Sequence, residues 1–298
     1  MTDTDTHTLF LPTVMNTAPP QYGVQIDGDV GTFPIEPDRI YQSPARWASM
    51  DDWLPDNVQA FEPNPFIIGT HTCPEEYRLY PDRMGSEPKP EYYQKFADFT
   101  LGLSVGLGPW AIEVWREPDC PTYSVPPENQ YWYGAWVTDE DYYAAGKRYG
   151  NLLSVVYPVL SSTGCLTIGG ALQNPHLIQG QEFLRGMLET GECDYISIHL
   201  YSYFGEDYQS KTEQTLHDVM LLTDRPLIIT ETALLTTDGI AYDTDEFRAA
   251  QAEYLAWFRE SMAWAGIPWL WYAGDNTWYN CGLKRRGEFM PVYDEWKG

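Results

Sequence analysis

The sequence predicts an α/β fold, a (β/α)8 TIM barrel, and three observations carry that prediction. Apolar, β-branched runs of strand length alternate along the chain with stretches whose apolar residues recur every three to four positions. Such alternation points to parallel strands joined by crossover helices, not to separate all-α or all-β units. The 298 residues fall within the range of one barrel and can bury a sizeable core. Two of the strand-like runs lead into a glutamate: Trp110–Val114 into Glu117-Pro118, and Pro226–Ile229 into Thr230-Glu231. In a parallel barrel the C-terminal strand ends share one face, so both carboxylates are expected to look into one cleft.

Residues 1–20 read as an N-terminal extension with an apolar patch at Leu9–Met15, and residues 21–298 as a single barrel domain. Tyr22–Asp27 is the first strand, Val24 and Ile26 sharing a face. A loop rich in Gly and Pro follows. Ala45–Ala48 is the expected second strand, which puts Arg46 near its end, and Phe66–His71 is the third. A βα unit takes roughly 30 residues, so the interval from Gly23 to Phe66, about 43 positions, falls short of the roughly 60 that two units need. No amphipathic helix is visible between Asp27 and Ala45. The barrel is therefore expected to be incomplete or irregular in its N-terminal half, with a homo-oligomer partner or the N-terminal extension covering the exposed flank.

From Glu91 the helical period is plain, in Tyr92, Phe96, Phe99 and Leu103. The fourth strand alternates Trp110, Ile112 and Val114 with Ala111, Glu113 and Trp115. Pro118, which lacks a backbone donor, ends it. An aromatic loop with Tyr123, Tyr131, Trp132, Tyr133 and Trp136 leaves that end. Thr138 is the expected N-cap of a helix whose inner face is Tyr142, Ala145, Tyr149, Leu152, Leu153 and Val156. Cys165–Ala171 is strand five, Asp194–Tyr201 strand six and Pro268–Tyr272 strand eight. Helices precede strands six, seven and eight around Phe183–Leu188, Leu216–Met220 and Phe247–Met262. Gly191 and Gly266 close the first and last of these three.

Composition narrows the function. With 18 basic and 43 acidic residues the net charge is −25, which speaks against nucleic acid and against an anionic membrane surface. No run of 18 apolar residues marks a membrane span. The five cysteines, Cys73, Cys120, Cys165, Cys193 and Cys281, form no CxxC pair, so no zinc site is expected. No metal or other cofactor is expected at all. The 12 Trp and 22 Tyr serve core packing and equally suit stacking against sugar rings. Met1–Thr6 lacks the basic and apolar regions of a signal peptide. The extension nevertheless favours an extracellular protein over a cytoplasmic one.

The two glutamate motifs resemble those of the large clan of retaining glycoside hydrolases built on a (β/α)8 barrel. In that clan an Asn-Glu-Pro motif ending strand four carries the acid/base, and a Thr-Glu or similar motif ending strand seven carries the nucleophile. The resemblance implies that Glu117 is the acid/base and Glu231 the nucleophile. It covers roughly Phe66 to Trp296. His199 and Tyr201 match a His-x-Tyr pattern ending strand six, which implies a Tyr201 hydroxyl bonded to the nucleophile. Trp271 matches a strand-eight Trp that floors the sugar subsite. Arg46 corresponds to an arginine near the nucleophile, and His71, ending strand three, to a sugar contact. Asn174, Tyr133 and Trp278 are lesser candidates on the same face. The chain departs from the pattern at Arg116, where an Asn that contacts the sugar 2-hydroxyl is usual.

A lone Glu-Pro or Thr-Glu is common, and a lone His199 is more often a satisfied core histidine. It is the combination that points to chemistry. Two carboxyls across an anomeric carbon cleave a β-glycosidic bond by double displacement, with water or a second sugar as acceptor. The alternative is a catalytically decayed barrel that binds carbohydrate, with Arg116 filling the sugar's place and pairing with the glutamates.

Overall fold

The computed structural model describes residues 22–25, 40–45, 66–70, 73–79, 81, 86–119, 139–236, 244–272, 284–285 and 288–297. Eight parallel strands form a closed barrel in chain order: β1 (Tyr22–Gln25), β2 (Ile40–Ala45), β3 (Phe66–Thr70), β4 (Ala111–Glu113), β5 (Leu166–Leu172), β6 (Tyr195–Tyr203), β7 (Leu227–Leu235) and β8 (Trp269–Trp271). The ring closes where Tyr22, Gly23 and Val24 pair with Trp269, Leu270 and Trp271. Five helices flank it, α1 (Tyr93–Leu107), α2 (Asp139–Ser161), α3 (Ile178–Thr190), α4 (Tyr208–Leu222) and α5 (Asp245–Ala265). The two-residue strands β9 (Lys284–Arg285) and β10 (Glu288–Phe289) and a short α6 (Pro291–Lys297) complete the described chain. No helix among the described residues is long and apolar enough to cross a membrane.

The ring of strands is complete, whereas the segments joining β1 to β2 and β2 to β3, where the irregularity was expected, lie outside the described residues. Among the described residues the first α-helix is α1, after β3. The second strand is displaced from its expected position at Ala45–Ala48 to Ile40–Ala45. Polar Gln42 and Ser43 and the proline at 44 hide it in the sequence. Pro44 lies past Gln42, the last β2 residue paired with β1, and opposite Gly69 of β3.

Alternation along the strands sorts the core into two shells. Ile67, Ala111, Ile168, Ile228 and Leu270 meet inside the barrel as an apolar layer. Ile68, Ile112, Ile196, Ile229, Trp269 and Trp271 face outward and pack with the helices. Two residues further along each strand the interior turns polar, with Glu113, Ser197 and Thr230, all fully buried. This layer supports the C-terminal end of the barrel.

Candidate active site

β4 stops pairing regularly at Glu113, four residues before Glu117. Beyond it Trp115 and Glu117 hold φ angles of 64° and 50°, in the left-handed region that side chains with a Cβ disfavour. The departure has a cause. Val114 and Trp115 both face the outer core, Trp115 against Phe96 of α1 at 5.8 Å between ring centroids. Two successive outward side chains reverse the strand's parity and turn the next residues toward the cleft. The backbone is held while it turns. Trp115 N–H donates to Thr70 Oγ1 at 2.9 Å, Arg116 N–H to Thr70 O at 2.6 Å, and Glu117 N–H to Ala171 O at 3.1 Å.

β7 reaches its glutamate by a similar device. It does not end at Glu231 but runs on to Leu235. Leu227 and Ile229 face the helices, and simple alternation would send Glu231 the same way. Ile198 of β6 pairs with Ile229 whereas His199 pairs with Glu231, so Thr230 is an extra residue, a bulge. The bulge flips the parity and brings Glu231 into the barrel beside His199. Thr232 then faces outward, sharing a hydrogen bond with the Tyr254 hydroxyl of α5 at 2.8 Å.

The result is a compact ionic cluster. Carboxylate oxygens of Glu117 and Glu231 and a ring nitrogen of His199 all lie within 4.8 Å of one another. Glu231 is fully buried. The Arg116 guanidinium sits 2.5 Å from its Oε1, and the Tyr201 hydroxyl donates to its Oε2. His199 Nδ1 lies 2.9 Å from Glu117 Oε1 and 3.4 Å from Glu231 Oε2. Burial pushes the Glu231 carboxyl above its ordinary range, while Arg116, His199 and the Tyr201 hydrogen bond hold it back. Burial alone would lower His199, but Glu231 and Glu117 outweigh it and the imidazole is raised. These oxygens and the nitrogen are near enough to share a cation. Arg116, however, already brings fixed positive charge to Glu231.

Asp119, two residues past Glu117, fastens the neighbouring loop. Its carboxylate accepts the backbone N–H groups of Gln173 and Asn174 at 2.8 and 3.0 Å. Burial raises its pKa from 3.8 to about 6, against those two hydrogen bonds.

Of the residues singled out in the sequence, Glu117, Glu231, Arg116, His199 and Tyr201 come together. Arg46, His71, Tyr133 and Trp278 lie outside the described residues. Among the described residues Arg116 brings its guanidinium against Glu231. Asn174 donates its backbone N–H to Asp119 and its side-chain amide to Gln173 Oε1. Trp271 is a correction. It is fully buried and turned outward, 6.0 Å from the Tyr254 ring, because β8 presents Trp269 and Trp271 to the helices and Leu270 to the barrel. Its neighbour Tyr272 takes the inward place. The Tyr272 ring packs edge-on against Tyr201 at 5.8 Å and lies under the Arg116 guanidinium at 5.7 Å. The alternation through Leu270 was the signal that could have identified it.

No protein-family model matches the chain, and no curated protein matches it. Solved structures do. A point mutant of a GH128 (subgroup I) endo-β-1,3-glucanase from Amycolatopsis mediterranei, in complex with laminarihexaose, is 13% identical, with 93% of this chain and 98% of that one covered and a TM-score of 0.56. A GH10 endo-β-1,4-xylanase from Gloeophyllum trabeum is 12% identical over 93% and 95%, with a TM-score of 0.57. A GH5-4 broad-specificity endoglucanase from an uncultured bacterium is 12% identical over 79% and 74%, with a TM-score of 0.53. At such identities the likeness is one of fold, and the fold is that of barrel glycoside hydrolases, as the two glutamate motifs led one to expect.

Proposed function

We propose that this protein hydrolyses β-glycosidic bonds with retention of configuration, Glu231 as nucleophile and Glu117 as acid/base. The observation that carries the reading is the approach of the two carboxylates to within 4.8 Å, in an environment that differs from one to the other. Retaining enzymes hold their carboxyls about 5–5.5 Å apart, whereas inverting ones leave room for a water between them. Glu231 carries the features of the ionised partner: a guanidinium on one oxygen and a hydroxyl donor on the other. Glu117 carries the features of the proton carrier. It is partly open to the cleft and shares one hydrogen bond with His199.

In the first step Glu231 attacks the anomeric carbon while the proton held between Glu117 and His199 passes to the departing glycosidic oxygen. A glycosyl ester on Glu231 and a free alcohol result. In the second step Glu117 removes a proton from water, which attacks the same carbon and releases Glu231. Arg116 caps Glu231 Oε1, so it turns aside as the sugar enters, and Tyr272 offers it an aromatic face. Tyr272 and Tyr201 then line the subsite that the strand-eight tryptophan was expected to floor. The glucan and xylan substrates of the structural neighbours suggest a β-linked glucan or xylan. A polymer of that kind would place the protein outside the cell.

Arg116 also favours a second reading. A guanidinium locked on the nucleophile would suit a barrel that binds sugar without cleaving it. One experiment separates the two. Aryl β-glycosides and β-1,3- and β-1,4-linked oligosaccharides are assayed with wild type and Glu231→Ala. Hydrolysis by wild type, lost in the variant and restored by azide as a glycosyl azide of inverted configuration, establishes the nucleophile. Wild-type binding of an oligosaccharide by calorimetry without turnover would establish the binding protein instead.

A further inference from the structure

Below the carboxylates lies a ring of hydrogen bonds that starts and ends on β4. Ser197 Oγ, fully buried on β6, donates its one hydrogen to Glu113 Oε2 on β4 at 3.0 Å. That leaves its lone pairs to accept the Ala171 N–H of β5 at 2.7 Å and the Thr230 hydroxyl of β7 at 3.4 Å. The carbonyl of Ala171 accepts the Glu117 N–H at 3.1 Å, which returns the path to β4. Ala171 and Glu117 are two of the three non-glycine residues with positive φ among the described residues, at 45° and 50°. Gly170, next to Ala171 where the β5–β6 register shifts, has φ 105°, and a Cβ there would stand 2.7 Å from Ser197 O. Both turns are also pinned from outside, since the Tyr149 hydroxyl of α2 donates to Val114 O and accepts the Gly170 N–H.

We propose that Ser197 is a positioning residue for Glu117, with Glu113 fixing the direction in which its hydroxyl points. This rests on the reading of Glu117 as acid/base but extends it to residues that no sugar touches. Such strained backbone units persist only where their surroundings over-determine them. Here the determinant is one hydroxyl with all three of its hydrogen-bonding directions used. A serine is required: alanine leaves the Ala171 N–H and the Glu113 carboxylate without this partner, and Glu117 leaves the position that gives it His199 Nδ1 at 2.9 Å.

The test reads His199 directly. Its imidazole is faced by Glu117, Glu231 and Glu113, with the edge of Tyr201 beside it. Histidine ring signals are titrated by NMR in wild type, Ser197→Ala and Glu113→Gln, using His199→Ala for assignment. Glu113→Gln keeps an oxygen to accept the Ser197 hydroxyl. The expected result is a His199 midpoint that falls further in Ser197→Ala, because Glu117 has withdrawn, than in Glu113→Gln, which removes only the least influential of the three facing carboxylates. In parallel, kcat/KM of Ser197→Ala should fall about 10-fold or more on an aryl glycoside with a poor leaving group and little on a dinitrophenyl glycoside, since only the former needs the acid in the first step. A Ser197→Ala protein with an unmoved His199 midpoint would overturn the proposal, even if its melting temperature dropped. A moved midpoint in a protein that hydrolyses no glycoside would uphold the positioning role and defeat the hydrolase reading.

Discussion

Arg116 is the residue on which the proposed function turns. It stands where barrel glycosidases usually have asparagine, and it supplies Glu231 with the positive charge that burial would otherwise make indispensable from elsewhere. In Arg116→Ala the Glu231 carboxyl should rise further, so the acid limb of kcat/KM moves upward in pH. We expect a roughly tenfold loss at pH 5 that shrinks toward pH 8, read from the pH-rate profile. A uniform loss at every pH would mean that Arg116 binds sugar and does not tune the nucleophile. Asp119 makes a second prediction. Its carboxyl keeps a proton up to about 6 in the fold but releases it near 3.8 when unfolded. The folded state therefore binds the extra proton between these values, and stability from this group is full below 3.8 and lost as pH rises through 6. The difference is about 3 kcal/mol. Urea midpoints of wild type and Asp119→Asn at pH 4 to 7 should show the variant gaining on wild type by about that much as pH rises. At this scale the sequence was most informative about which polar side chains meet, as at Glu117, Glu231, His199 and Tyr201. It misled at Trp271, where a large aromatic in the expected position turned out to pack against Tyr254, and it passed over Tyr272 and Asp119.

Secondary-structure elements show why. Long helices and apolar strands were legible because many side chains vote for one period: α5 begins at Thr244, whose side chain accepts the Phe247 N–H, and ends at Gly266 with φ 67°. The active strands were less legible because their function depends on broken periods. The bulge at Thr230 and the left-handed residues Trp115, Glu117 and Ala171 are backbone facts that no pattern of residue types announces. Glycines in helices carry a comparable hidden message. Gly146 of α2 lies so close to α3 that a Cβ would stand 1.9 Å from Phe183 O, and one on Gly186 would stand 2.0 Å from Tyr143 O. Two backbones meet there, and neither can yield as a flexible side chain would. Gly146→Ala should cost about 3 kcal/mol by overpacking, measured as a lowered urea midpoint with an unchanged slope. A neutral result would show that α2 and α3 can part without penalty.

Over the whole molecule, length and alternation sufficed for the barrel, and the strand count proved complete although the N-terminal spacing was short. What spacing could not reveal was that β2 is built partly of polar residues and a proline, since its pairing partners and not its own composition make it a strand. The closed ring has a consequence for how the protein is made. The pairs that shut it, Tyr22 with Trp269 and Val24 with Trp271, join residues from opposite ends of the sequence. The entropy of bringing such distant segments together grows only slowly with separation, by about 0.6 kcal/mol per doubling, yet contacts of this range slow folding most. Of the eight barrel strands β8 is made last, so one side of β1 stays unpaired until β8 has been synthesised. The glutamate pair, held by β4 and β7, can assemble while the barrel is still open.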